Sequence, residues 1–185
     1  MRSFFFVEKL ALELLQNEKL ILQLVEWSKT SDLAGVNSES SRLIAWLIKN
    51  GYRFNPVAKD QVDLTALKSF ILIDGSVEAV AKMLLSPHLV MQNEALIALS
   101  IASMIFCEQE SGMKLSEILI ACELGEKLSE FIEQTSENMT NEIIENVQTL
   151  VKVLKKSEAM QEHLLASNID EKLMSVPKLQ ELCTL

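Results

Sequence analysis

Turn-forming residues are scarce in this chain: 5 glycines and 3 prolines in 185 residues. A many-stranded β fold needs more of them, because each tight turn asks for special backbone angles. Histidine is nearly absent, with only His88 and His163. Those two and three scattered cysteines make a structural zinc site improbable. Cys107, Cys122 and Cys183 form no C-x-x-C pair, and they read as buried free thiols of a reducing compartment. Basic residues are outnumbered, 17 Lys+Arg against 26 Asp+Glu, a net charge of -9. Such a balance works against nucleic acid, whose phosphates need clustered Lys and Arg. It would instead attract basic segments. An ordinary soluble acidic surface is the competing reading. The opening run Met1–Val7 stops at Glu8-Lys9, too short for a signal peptide, and no cleavage site follows. The longest apolar stretch, Ala95–Cys107, falls short of a membrane span and reads as a buried core helix. A cytosolic protein is expected.

What the sequence does hold is helical periodicity. Apolar residues fall at 7, 10, 11, 14 and 15, a period of about 3.6. Similar patterns recur over Leu20–Trp27, Val36–Ile48, Leu64–Ile73, Val90–Phe106, Lys114–Cys122, Glu126–Ile132, Met139–Leu154, Met160–Leu165 and Glu171–Leu182. Asn37 and Ser38 are cap candidates for the second of these, with Gly51 after its end. Ser76 is a further cap candidate, and 50–56 reads as a loop.

Three segments align: Val36–Ile48, Met91–Ser103 and Met139–Val151. Each opens with an apolar residue, two polar residues, then Glu39, Glu94 or Glu142. The spacings are 55 and 48 residues, the first lengthened by an insertion near 50–62. Armadillo and HEAT repeats run at about 40–47. The expected fold is therefore all-α, an armadillo-type α-solenoid of roughly four repeats. The whole chain, 1–185, reads as one domain with approximate repeats 1–50, 51–107, 108–156 and a partial 157–185. A helical bundle is the alternative.

The run Leu89-Val-Met-Gln-Asn-Glu-Ala-Leu-Ile-Ala-Leu-Ser100 resembles the third helix of a repeat in the small-GTPase GDP-dissociation stimulator family. Gly35-Val-Asn-Ser-Glu-Ser-Ser-Arg-Leu-Ile-Ala-Trp-Leu47 resembles the corresponding helix one repeat earlier. The resemblance covers about Leu33–Leu154 and places the chain in the C-terminal part of much longer armadillo proteins. It implies binding of small GTPases of Rho and Rap type with polybasic, often prenylated tails. It also implies a chaperone role and stimulation of GDP release, which makes the chain a regulator and not an enzyme, with no cofactor.

Third helices line the concave face of such a solenoid. In the last aligned helix the buried stripe is Met139, Ile143, Ile144, Val147, Leu150, Val151 and Leu154. Its free face then carries Asn141, Glu142, Glu145, Thr149 and Lys152. The same register exposes Asn93, Glu94, Ile97 and Ile101 in the middle helix, and Ser38, Glu39, Arg42 and Trp46 in the first. Carboxylates 39, 94, 142 and 145 could pair with a basic tail, with Trp46, Ile97 and Ile101 as apolar contacts. Each exposed pair contributes only about 0–1 kcal/mol, so several must act together. The bland reading of Glu39, Glu94 and Glu142 is first-turn stabilisation of their own helices. Arg42 is open between Glu39, Trp46 and the partner. Trp27 is expected to pack, His88 to start a helix and His163 to lie on the surface. No G-x-S-x-G, H-E-x-x-H, P-loop or G-x-G-x-x-G pattern appears. A generic peptide-binding adaptor and an inert solenoid fragment are the other readings.

Overall fold

The computed structural model describes residues 10–53, 64–106 and 112–176. Among these residues the chain is all-α, a solenoid in which long helices stack side by side. The helices are α1 (Leu10–Leu15), α2 (Glu18–Thr30), α3 (Ala34–Arg53), α4 (Thr65–Ile71), α5 (Ser76–Lys82), α6 (Leu89–Phe106), α7 (Gly112–Ala121), α8 (Leu124–Thr135), α9 (Asn141–Leu154), α10 (Glu158–Ala166) and α11 (Ile169–Ser175). A 3-10 turn, Met83–Leu85, extends α5.

The order has a rhythm of three. A short helix, a second helix and a long third helix occur as α1-α2-α3, α4-α5-α6 and α7-α8-α9, and α10-α11 begin the pattern again. Like stacks on like: α3 packs on α6, α6 on α9, α8 on α11 and α7 on α10. No single triplet could bury its apolar face alone, so the stacking itself makes the core.

Helix α9 shows why such a segment folds locally. The Thr140 hydroxyl accepts from the Ile143 amide at 3.3 Å, capping the first turn. Glu142 sits in that first turn and Lys152 in the last, each favourable to the helix dipole. The buried stripe holds the expected Ile143, Ile144, Val147, Leu150, Val151 and Leu154, with Val153 in addition. Met139 is also buried but precedes the helix.

Several local expectations are corrected. Helix α3 does not end before Gly51 but runs on to Arg53. The glycine is needed for close approach instead: a Cβ there would lie 2.7 Å from Leu15 Cδ1 of α1. Asn37 does not cap α3. Its Nδ2 donates to Ser28 O at 2.7 Å and ties α3 to the end of α2. Ser76 is not a cap either. Gly75, at φ +90°, holds the cap position, and Ser76 is fully buried. A side chain at Gly75 would also collide with Lys29.

Candidate functional site

The aligned third helices meet along a polar seam. From α3, the Arg42 guanidinium reaches α6, donating through Nε to Glu94 Oε2 at 2.9 Å and through Nη2 to Oε1 at 3.1 Å. Nη1 also donates to Glu39 Oε1 at 3.3 Å. The fork-to-carboxylate geometry is bidentate, the strong form of this contact. Hydrogen bonding to Glu94 raises the Arg42 pKa, against an opposing but smaller desolvation effect. Arg42 is therefore spoken for within the fold, and the carboxylate of Glu94 is neutralised by it. Of the proposed acidic row, Glu39 and Glu94 are partners of Arg42 first.

One residue earlier on α6 the seam changes chemistry. Asn93 Nδ2 donates to Glu142 Oε1 of α9 at 2.8 Å. Asn146 Nδ2 donates back to Asn93 Oδ1 at 2.7 Å. Asn93 thus uses both ends of its amide to bridge α6 and α9. Asn146 was not among the sequence candidates; its position one turn after Glu142 was the available signal. Asn141, Glu142 and Glu145 are exposed. Glu145 has no ion pair among the described residues, so it is the carboxylate most available to a partner.

The apolar candidates fare differently. Ile101 is buried, 9% exposed, and Ile97 is partly buried against the core. Helix α6 has a neighbour on each side, and these close over positions that its own periodicity leaves outside. Trp46 is half-buried and packs against the core instead of standing free. Trp27, expected to pack, is 45% exposed, because the buried stripe of α2 is Ile21, Leu24, Val25 and Ser28. Ser38 is half-buried and donates to Met91 Sδ at 3.6 Å.

His88 precedes α6, where its carbonyl accepts from the first helical amides, as expected of a helix-start residue. His163 is not a surface residue. Its side chain is 11% exposed, and Nε2 accepts the Gly125 amide at 3.0 Å. Gly125 permits this approach: a Cβ there would collide with Ser167 Oγ and stand 3.1 Å from that nitrogen. Cys122 is a buried free thiol, and burial pushes its pKa up to about 11, which keeps it protonated and unreactive near neutral pH. Cys107, Cys183 and positions 54–56 of the expected loop lie outside the described residues, and 50–53 of that loop are helical instead.

Among the described residues α6 alone is long and apolar enough to cross a membrane. Over half of it, 56%, is buried inside the protein, and Gln92, Asn93 and Glu94 mark its first turns. It serves as the central core helix. Charge is uneven along the chain. Residues 1–106 hold 10 Lys+Arg against 11 Asp+Glu, whereas residues 107–185 hold 7 against 15. The acidity belongs to the half that contains α9.

Fold and seam together define a class: a helical-repeat scaffold whose third helices are laced by side chains along one face. The sequence carries it one step further. Over a 201-residue alignment the chain is 47% identical to GTPase-GDP dissociation stimulator vimar of Drosophila melanogaster, covering 96% of this chain and 32% of that protein. It is 38% identical over 86 residues to Rap1 GTPase-GDP dissociation stimulator 1-B of Xenopus laevis, covering 46% of this chain and 12% of that one. Against stimulator 1-A of the same organism it is 33% identical over 125 residues, 65% of this chain and 19% of the relative. By sequence the chain belongs with the GTPase-GDP dissociation stimulators, as the resemblance implied, and spans about a third or less of their length. No family model and no solved structure matches it.

Proposed function

We propose that this chain is a regulatory module that binds small GTPases, of Rho or Rap type with polybasic tails, and favours release of their GDP. We read it as a single armadillo-repeat unit acting in the cytosol. The observation that carries the reading is identity of 47% to a GTPase-GDP dissociation stimulator along 96% of the chain. The polar face of α3, α6 and α9 supports it as the docking surface. On that face the basic tail falls to Glu142 and Glu145, because Glu39 and Glu94 already satisfy Arg42. Asn93, Asn141, Trp46 and Ile97 complete the contact. Stimulation would need no nucleophile. Binding the opened, nucleotide-free GTPase better than the GDP form is sufficient to shift that equilibrium.

The test is release of fluorescent GDP from a Rho-type GTPase, with and without its basic tail, in the presence of the chain. Tail-dependent acceleration is the expected outcome. Glu142→Lys with Glu145→Lys should then weaken the effect at least tenfold, as two charge reversals on one contact predict. Tail-dependent binding without acceleration would leave an adaptor. No binding would overturn the proposal.

A further inference from the structure

We infer that His163 is a pH-sensitive latch, which joins α10 to the corner between α7 and α8 when neutral and lets go of it when protonated. The corner is tight. Helix α7 ends at Ala121 and α8 begins at Leu124, and Glu123 between them holds the left-handed conformation at φ +56°. The equivalent joints of the neighbouring triplets place Gly75 and Asn168 there, residue types that tolerate it. A glutamate fits that conformation poorly, so the corner needs holding from outside. The Glu123 side chain makes no cap on α8. The Gly125 amide, in the first turn of α8, has no acceptor within its own helix. His163 supplies one from α10, at 3.0 Å.

A backbone N–H can only donate, so Nε2 carries a lone pair and the neutral ring has its proton on Nδ1. Glu126 Oε2 stands 3.5 Å from the same nitrogen. Two groups thus compete for Nε2: a backbone donor while the ring is neutral, and a carboxylate once the ring gains its second proton. A protonated Nε2 cannot accept, and it faces the positive end of α8. The ring then turns this N–H to Glu126. The Gly125 amide loses its partner where water is scarce, since the His163 side chain is 11% exposed. Among the described residues Glu126 is the one charged side chain within ion-pair distance of the ring. Lys127 of α8 is held by Cys122 O at 2.5 Å and by Glu123 at 3.4 Å. On α11, Asp170 pairs with Lys155 and Lys172 with Glu133. Lys114 and Glu117 of α7, and Glu158 and Glu162 of α10 itself, are exposed. Histidines change charge between about pH 5 and 8. Acidification across that range loosens the join between the third triplet and α10-α11.

The test follows the full 185-residue chain by ¹⁵N NMR from about pH 7.5 to about pH 5.5, the ordinary histidine range. The His163 ring and the Gly125 amide are read together, with the exposed His88 as reference. At the upper end the His163 ring should carry its proton on Nδ1. As the ring titrates, protection of the Gly125 amide against hydrogen exchange should fall about tenfold, one hydrogen bond's worth. Amides in the middle of α6 should keep theirs. His163→Gln sets a neutral oxygen against the same amide, so its Gly125 protection should not vary with pH. Four results would each overturn the latch: a ring that does not titrate in this range, constant Gly125 protection while it does, a neutral ring protonated on Nε2, or the same pH-dependent loss in His163→Gln.

Discussion

Helix α6 joins its two neighbours by different chemistry from adjacent residues. Toward α3 it offers Glu94, and the seam is a charged fork with Arg42. Toward α9 it offers Asn93, and the seam is a pair of amide hydrogen bonds with Glu142 and Asn146. Successive helical residues point about 100° apart, so one turn can serve two partners. The charged seam neutralises its carboxylates within the fold. The amide seam leaves Glu145 without an ion pair among the described residues and keeps Glu142 exposed, so the acidic character of the face survives at α9. The face is thus neutralised at one end and still acidic at the other.

The comparison can be broken outright by emptying the core beneath both seams. Leu99 of α6 is 1% exposed. Leu99→Ala should lower stability by about 2–5 kcal/mol, whichever seam is probed, because the cavity lies under the shared helix. Urea unfolding followed by circular dichroism measures it. A loss below about 1 kcal/mol would mean that α6 is not the central packing element.

The charged seam alone is addressed by Glu94→Gln. The variant keeps the shape but leaves Arg42 with Glu39 as its remaining carboxylate. The pair is partly exposed, 24% for Arg42 and 35% for Glu94. Its loss should therefore fall between an exposed and a buried ion pair, about 1–2 kcal/mol. At this chain length each kcal/mol lowers Tm by about 2–4 °C. High salt should shrink the gap between variant and parent, since screening weakens the pair that the variant lacks. A salt-independent gap would show that Glu94 acts through packing.

How much of this was legible in the sequence depends on what each feature needs. The long third helices were readable because apolar period and alignment lie within a single segment. The aligned positions Val36, Met91 and Met139 show where that reading stops. They are 37%, 9% and 3% exposed. The residue type is alike, but Met91 has α3 beside it and Met139 follows α6 in the stack. Burial in a solenoid is set by the neighbouring repeat, which a helical wheel cannot see. The same cause buried Ile101 and half-buried Trp46. Arg42 was recognised as open between partners, yet Glu94 lies 52 residues away and was not among those named. Gly51 and Gly125 were opaque for a related reason: their role is to let another helix approach, and that helix is remote in sequence.

The smallest effect is the most diagnostic of the two-seam comparison. Asn93→Ala removes both amide bonds to α9 at once. Each is a neutral or singly charged contact near solvent, so the combined loss should be about 0.5–1.5 kcal/mol. Salt should hardly change it, in contrast with Glu94→Gln. Asn93→Asp is the sharper form. It keeps the oxygen that accepts from Asn146 but sets a second carboxylate against Glu142, where the amide now donates at 2.8 Å. Like charges this close disfavour both ionised forms. The Asp variant should therefore be less stable than the Ala variant at neutral pH. It should regain stability as pH falls through the carboxylate range, where the folded state binds a proton more tightly than the unfolded one. Stability of the two variants, measured side by side from pH 7 to pH 4, decides the matter. If the curves run parallel, Asn93 and Glu142 are not in contact in solution, and the distinction between the two seams fails.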